Sequence, residues 1–215
     1  MLPRAVLFDC DGVIVDSERP MIELLAHDLA GFGHPVGADR VLQMNLGGAV
    51  PQFVPRMRDM GIDVPEDWVE DFYARLYGIL EIETPLVEGI VPVLDAVQSA
   101  GLKMAIGSNG RHEKMEITLG QHPAIQDRFR GLIFSGQALG KMKPEPDLYL
   151  HMAEALEVRP GDCVVVEDSP TGARAAAAAG MRCFGYAGHA GAETLAAEGA
   201  VIFTEMAALP GLLGL

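Results

Sequence analysis

Short apolar runs recur along the chain and are separated by longer stretches in which apolar residues return at helical spacing. The runs are 4–8, 102–107, 131–135, 163–167, 182–186 and 200–203. Short runs without polar alternation are typical of strands that are buried on both faces. Because helical stretches alternate with these runs, the pattern predicts an α/β fold with a parallel sheet covered on both sides.

Two glycines mark where predicted helices end. Gly101 follows a helical pattern over 90–100, and Gly180 follows one over 170–179. Glycine is common just past the last helical turn because it adopts a left-handed backbone without strain. Each glycine is followed by an apolar run, as expected for alternating helices and strands. Ligands of such open sheets bind at the carboxyl ends of the strands.

Between residues 17 and 85 the alternation stops and only helical patterns remain. Three apolar stripes run through this segment at the spacing of the inward face of a packed helix. Their members are Met21, Leu24, Leu25, Leu29 and Phe32; Val50, Phe53, Val54, Met57 and Met60; and Trp68, Phe72, Leu76 and Ile79. We therefore expect an all-helical unit over 17–85, inserted into an α/β core formed by 1–16 and 86–215.

Acidic residues outnumber basic ones, with 30 Asp and Glu against 16 Lys and Arg and a net charge of −14. A surface of this charge repels nucleic acid and anionic membranes, so we expect neither as a partner. The chain of 215 residues is long enough for one buried core and a smaller second unit. We expect a monomer, with a dimer as the alternative.

The three cysteines show no CxxC spacing. The first apolar run meets Asp9 before it reaches the length of a signal peptide's apolar core. No other apolar stretch approaches the roughly 18 residues that a membrane span needs. We therefore expect a cytoplasmic protein with reduced thiols.

Acidic side chains follow two of the predicted strands. Asp9 and Asp11 come after the first strand, and Glu167 and Asp168 end the run at 163–167. Two unit charges about 4 Å apart cost roughly 4 kcal/mol at an effective dielectric constant near 20. A divalent cation with oxygen ligands removes this repulsion, which predicts a Mg²⁺ site. For either pair alone, solvent exposure or helix capping is an equally good interpretation.

Polar side chains at two further loops predict a phosphate site. Ser108 and Asn109 stand between a predicted strand and a helix, where backbone N–H groups suit an anion. Lys143 precedes Pro144 and Pro146, which stiffen its loop and prevent a helical start. We expect Ser108, Asn109 and Lys143 to bind the phosphate of a substrate.

Together these motifs resemble the haloacid dehalogenase superfamily. They are DxDGxxxDSE from Asp9, SNG from Ser108, KPxPD from Lys143 and EDSxxGxxAAxxAGM from Glu167. The resemblance is to the branch with an α-helical cap after the first motif, which contains β-phosphoglucomutase and sugar-phosphate phosphatases. It implies a Rossmann-like core and makes residues 17–85 the helical cap.

The resemblance also implies roles for the acids. Asp9 would be the nucleophile that forms an aspartyl-phosphate, and it would also be a Mg²⁺ ligand. Asp11 would be the general acid and base, with its main-chain carbonyl on the metal. Glu167 and Asp168 would complete the metal site. We expect metal coordination to keep Asp9 ionised while Asp11 keeps its proton.

The same resemblance implies a Mg²⁺-dependent phosphatase for a small phosphorylated metabolite, such as a sugar or sugar-acid phosphate. A β-phosphoglucomutase-type phosphomutase is the first alternative, although Pro51 stands where a mutase would have a cap-loop arginine. Arg56, Arg58 and Arg75 are the candidates to replace that arginine. A catalytically silent protein that binds metal or phosphate is the second alternative, but every motif residue is present.

Three neighbouring residues complete these expectations. We interpret Asp16 as a structural residue that accepts hydrogen bonds from loop N–H groups. Glu18 is a candidate to face the substrate, and so is Arg111, which follows the Ser108 loop.

Overall fold

The computed structural model describes residues 2–45, 50–188 and 191–215, and within these ranges the chain forms one parallel sheet of six strands. The strands are β1 (Ala5–Phe8), β2 (Lys103–Ser108), β3 (Ile133–Ser135), β4 (Cys163–Glu167), β5 (Arg182–Tyr186) and β6 (Val201–Phe203). Their order across the sheet is β3-β2-β1-β4-β5-β6. The α/β prediction is confirmed, and each predicted strand is present.

The central strands lack polar alternation because both faces of the sheet are covered. In β1, Val6 and Phe8 belong to one buried apolar cluster, whereas Ala5 and Leu7 belong to another on the opposite face. All four side chains are fully buried. Side chains of a strand alternate between faces, so a doubly covered strand is apolar at every position.

The helices of the core surround this sheet. They are α5 (Ile90–Ser99), α6 (His112–Gly120), α7 (Pro123–Arg128), α8 (Gly136–Leu139), α9 (Asp147–Ala155), α10 (Pro170–Ala178), α11 (Ala192–Ala197) and α12 (Leu209–Leu213). Two 3₁₀ turns lie at Pro160–Asp162 and Met206–Ala208. Among the described residues, no helix has the length and apolarity that crossing a bilayer requires. The three cysteines are buried and unpaired.

Helix α10 shows how the sequence sets a helix that borders the site. The Ser169 hydroxyl accepts a hydrogen bond from the Gly172 N–H and so caps the first turn, in which Pro170 takes the first position. Gly180, with φ +72°, lies just past the end of the helix, as the sequence predicts. The helix therefore begins directly after the acids that end β4.

The helical cap contains four helices within the described residues. They are α1 (Glu18–Gly31), α2 (Ala38–Asn45), α3 (Val50–Asp59) and α4 (Trp68–Leu80). Their buried side chains form an apolar cluster of their own, separate from the two that cover the sheet. The sequence interpretation did not include α2, and it was wrong for Ile79, which is 39% exposed. The buried stripe of α4 instead steps from Leu76 to Leu80, which leaves Ile79 on the outer side.

An ion pair between a partly exposed arginine and a buried aspartate joins two helices of the cap. Arg75 on α4 donates two hydrogen bonds of 2.7 Å to the Asp28 carboxylate on α1, and the Trp68 indole donates a third of 2.8 Å. Arg75 also donates to Asp71 at 2.8 Å. The Arg75 guanidinium is therefore bound by two acids of the cap, Asp28 and Asp71.

The cap and the core are in contact at several places within the described residues, one of them where Gln121 after α6 donates to the Leu80 carbonyl of α4 at 2.7 Å. Where the chain enters and leaves the cap, Val15 forms a bridge with Leu86. Farther away, Arg111 before α6 donates to Glu70 on α4 at 2.8 Å and lies over the Tyr73 ring, 4.2 Å from its centroid. The boundaries at 16/17 and 85/86 stay a prediction.

Candidate active site

The topology brings the predicted site residues to one end of the sheet. Strand β1 lies between β2 and β4, and Phe8 is in register with Ile106 and Val166. Asp9, one residue beyond Phe8, is therefore level with Glu167 at the end of β4. Because all three strands are parallel, their carboxyl ends open on the same edge.

A cavity lies over this edge, between the core and the helical cap. Its core side is formed by Asp9, Asp11, Ser108, Asn109, Gly110, Lys114, Lys143, Asp168 and Ser169, and its cap side by Glu18, Met21, Val50, Tyr73 and Leu76. Of the residues predicted for catalysis, phosphate binding or metal binding, each lines the cavity except Glu167. That side chain is fully buried.

The Lys143 ammonium bridges two carboxylates below the cavity. It donates to Asp9, to Glu167 at 2.6 Å and to the Gly107 carbonyl at 3.1 Å. Burial lowers the pKa of Lys143, but the charges of Asp9 and Glu167 more than offset this and raise it above its ordinary value. These contacts hold the Asp9 carboxylate in a fixed position beside the Lys143 ammonium.

Both carboxylate oxygens of Glu167 accept hydrogen bonds from the protein. Besides Lys143, its carboxylate accepts hydrogen bonds from the Tyr149 hydroxyl at 2.8 Å and the Asp168 N–H at 3.1 Å, and two from Ser169. Burial raises the pKa of Glu167, yet Lys143 and the other donors more than offset this and hold it below its ordinary value. Glu167 therefore anchors both Lys143 and the loop that carries Asp168.

Three acids are close enough to share a cation. Asp9, Glu167 and Asp168 each offer an oxygen within 4.8 Å of the others. No donor among the described residues reaches the Asp168 carboxylate; burial and the charges of Glu18, Asp9 and Glu167 raise the pKa of Asp168 well above its ordinary value. Burial, opposed by Lys143, raises the pKa of Asp9 to about 8.

Among the described residues, Lys143 contacts two of these three acids and no donor reaches the third, Asp168, so a cation could bind here. The donors are hard carboxylate oxygens, which fit a divalent cation such as Mg²⁺. Asp9 and Asp168 have oxygens to offer, whereas both oxygens of Glu167 already accept hydrogen bonds from the protein.

Asp11 has a different environment, because a second lysine neutralises it. Lys114 on α6 donates to Asp11 at 2.7 Å, Ser108 donates at 3.0 Å, and Ser17 donates as well. Burial raises the pKa of Asp11, but Lys114 and the two hydroxyls more than offset this and bring it below its ordinary value. These contacts favour the ionised form of Asp11, whereas the sequence analysis expects Asp11 to keep its proton while a metal ion holds Asp9 ionised; that expectation stays a prediction.

Sequence reasoning missed Lys114. Its signal was a basic residue in the first turns of the helix that follows the Ser108 loop, six positions after that serine. Its side chain is buried at 8% exposure, which the residue type does not indicate. Only the packing of α6 beside β1 shows that this lysine points at Asp11.

Ser108 and Asn109 hold the site together as well as lining it. The Ser108 hydroxyl donates to Asp11 and accepts from the Gly110 N–H at 2.9 Å. The Asn109 amide donates to the Lys143 carbonyl at 3.0 Å and accepts from the Lys143 N–H at 2.8 Å. Asn109 thus locks the backbone of Lys143, a role that the sequence did not predict.

Of the three remaining candidates from the sequence, one lines the cavity and two do not. Glu18 lines the cavity as expected, and burial followed by the charge of Asp11 raises its pKa to about 7. Arg111 does not line the cavity, because Glu70 holds its guanidinium at the junction of cap and core. Asp16 does not line it either; its N–H donates to the Pro85 carbonyl at 2.9 Å.

A family model and two named relatives match most of this chain. The family model for haloacid dehalogenase-like hydrolases matches residues 3–180. A 6-phosphogluconate phosphatase of Escherichia coli is 28% identical over 97% of this chain and 94% of its own length. Phosphoglycolate phosphatase 1 of Pseudomonas aeruginosa is 30% identical over 86% of this chain and 71% of its own.

One solved structure shares nearly the whole fold. It is a conserved haloacid dehalogenase-like protein of unknown function from Agrobacterium tumefaciens, which is 28% identical to this chain. It superimposes with a TM-score of 0.88 over 98% of this chain and 97% of its own. The similarity therefore includes the helical cap as well as the sheet.

Replacing Gly12 should test the acidic group directly. Gly12 has φ +77°, and a Cβ there would lie 1.9 Å from Asp168 Oδ2. Gly33 has φ +81° with nothing within 4 Å of its Cβ, so Gly33→Ala is a matched control for backbone strain. We expect each variant to lose about 1–2 kcal/mol of unfolding free energy in urea.

Only Gly12→Ala should also move Asp168. Its affinity for Mg²⁺ or Mn²⁺ in calorimetric titration should fall about 10–100-fold, as for other changes next to a metal ligand. Equal cation affinity of the two variants would contradict the placement of a metal at Asp168.

Proposed function

The chain belongs to the haloacid dehalogenase-like hydrolase family and is a phosphatase, and we propose that it hydrolyses small phosphomonoesters through a phosphorylated Asp9. Membership confirms the resemblance seen in the sequence motifs. Relatives named for 6-phosphogluconate and phosphoglycolate support a small phosphorylated metabolite as the substrate. The observation that carries the proposal is the Asp9 carboxylate, which lines the cavity with one oxygen held by Lys143.

Asp9 is placed to act as the nucleophile. Lys143 donates a hydrogen bond to Oδ1 of Asp9, which leaves the other carboxylate oxygen available to attack phosphorus. As the new P–O bond forms, the bond from phosphorus to the ester oxygen breaks. Water then attacks phosphorus, the Asp9–phosphorus bond breaks, and inorganic phosphate leaves.

The acids would hold Mg²⁺. Asp9 and Asp168 would ligate it through their carboxylates, with the main-chain carbonyl of Asp11, and Glu167 would orient the Asp168 loop. When bound, the cation supplies the positive charge that these acids and the phosphoryl oxygens need. The nearby Ser108 hydroxyl and the ammonium of Lys143 would orient the phosphoryl group.

Asp11 would carry the proton in both halves of the reaction. A phosphate dianion that binds beside Asp11 adds negative charge and so raises its pKa, in opposition to Lys114. The protonated carboxyl then gives its proton to the departing ester oxygen. In the second half, Asp11 takes a proton from the attacking water.

The cavity favours a phosphatase over a mutase. A mutase must grip a second phosphate, but the cap residues that line the cavity within the described part of the chain include no basic side chain. Arg75 is bound to Asp28, and Arg56 and Arg58 are exposed on α3 outside the cavity lining. Residues 46–49 lie outside the described residues.

Hydrolysis of p-nitrophenyl phosphate should require a divalent cation and stop in excess chelator. Asp9→Asn removes the nucleophile at nearly unchanged shape, so we expect a folded protein whose kcat falls roughly 10⁴–10⁶-fold. Asp127→Asn makes the same chemical change at an exposed position and should keep full activity. Activity in excess chelator, or ordinary turnover by Asp9→Asn, would show that a different site hydrolyses the ester.

The role of Asp11 should appear in its dependence on the leaving group. A sugar alkoxide needs a proton as it leaves, whereas p-nitrophenolate is stable without one. Asp11→Asn should therefore lose roughly 10²–10⁴-fold in kcat on a sugar phosphate and much less on p-nitrophenyl phosphate. Equal losses on the two substrates, measured under the same conditions, would argue that Asp11 has only a structural role.

A further inference from the structure

The cap side of the cavity is mostly hydrocarbon. Met21 on α1, Val50 on α3, and Tyr73 and Leu76 on α4 face the phosphate-binding edge of the core, and Glu18 joins them at the start of α1. Among the described cap residues that line the cavity, Glu18 is thus the charged one, and it is an acid. The part of a substrate beyond its phosphate must lie against this surface.

The positive charges of the cavity are already paired on the core side. Lys143 is held by Asp9 and Glu167, and Lys114 is held by Asp11. Asp168 adds a further acid to the same floor. Together with these two lysines, a bound divalent cation would balance the four acids Asp9, Asp11, Glu167 and Asp168, but not the phosphoryl group as well. Among the described residues that line the cavity, no cation is then left for a second anionic group at the cap.

Nearby arginines do not change this balance. Arg111 lies over the Tyr73 ring but is not among the residues that line the cavity, and both its terminal nitrogens donate to Glu70. Arg75 is bound by Asp28 within the cap. The segment 46–49 next to Val50 lies outside the described residues, but its sequence, Leu-Gly-Gly-Ala, contains no ionisable side chain.

We propose that the preferred substrates are monophosphate esters of neutral polyhydroxy alcohols, with no second anionic group. This inference rests on the proposed phosphatase function and narrows its substrate class. The carbon skeleton of the alcohol packs on Met21, Val50 and Leu76, and a hydroxyl group hydrogen-bonds with the Glu18 carboxyl. A carboxylate or second phosphate at this place would meet Glu18 and an apolar wall, and unpaired like charge in such a site lowers affinity.

Matched pairs of substrates test the inference. Glucose 6-phosphate and 6-phosphogluconate share a six-carbon skeleton, as ethyl phosphate and phosphoglycolate share a two-carbon one, and in each pair only the second member adds a carboxylate. We expect kcat/KM to favour the neutral member at least tenfold in each pair, which corresponds to about 1.4 kcal/mol. A smaller ratio or a preference for the acid member would overturn the inference.

The same assay separates this inference from the proposed function. p-Nitrophenyl phosphate reports whether the chain hydrolyses phosphomonoesters at all. If it is hydrolysed and the acid members are preferred, the phosphatase function stands and the neutral-substrate inference falls. If neither it nor any pair member is hydrolysed in the presence of Mg²⁺, both are overturned.

Two variants then locate the selectivity. Met21→Lys adds a cation to the cap wall, and Ala30→Lys adds the same charge at an exposed position of the same helix. Relative to Ala30→Lys, Met21→Lys should shift kcat/KM at least tenfold toward the acid members. Glu18→Gln removes the negative charge without adding bulk. It should also reduce the preference in kcat/KM for the neutral member of each pair over the acid member. An unchanged ratio in both variants would overturn the assignment of selectivity to the cap.

Discussion

The arrangement of the site depends on one buried ammonium group. Lys143 lies between Asp9 and Glu167, which end neighbouring strands, and without it two buried carboxylates would repel each other. Its own backbone is locked by the Asn109 amide. Removing one member of such a buried pair leaves an uncompensated charge, so each partner fixes the other. Fixed geometry at Asp9 is what a nucleophile requires.

Charge balance connects this interaction to metal binding and to the choice of substrate. Two lysines, Lys114 and Lys143, contact three acids of the site, and the carboxylate of the fourth, Asp168, lies within 4.8 Å of Asp9 and Glu167. A divalent cation bound among these acids would balance their remaining charge. The cap contributes hydrocarbon and Glu18 but no described cation to the cavity, so the balance does not extend to a second anion.

The sequence predicted the strands and the acids at their ends, but it did not predict which side chains contact each other in the folded protein. The strands were found because double burial removes polar alternation, and the site acids were found because each stands at a strand end. Periodicity does not show which side chains meet, so the pairing of Lys114 with Asp11 was missed. The hydrogen bonds from Asn109 to the Lys143 backbone were missed for the same reason. Ile79 was misplaced because a short stripe fits two helix faces nearly equally well.

The covalent role of Asp9 can be tested most directly by trapping the phosphorylated enzyme. Asp11→Asn, in which attack by water should be slowed, would be mixed with p-nitrophenyl phosphate and Mg²⁺, quenched in acid and digested at low pH. Mass spectrometry should find one phosphoryl group on the peptide that contains Asp9, and hydroxylamine should remove it. A phosphoryl group on another residue, or none while nitrophenol is released, would contradict nucleophilic attack by Asp9.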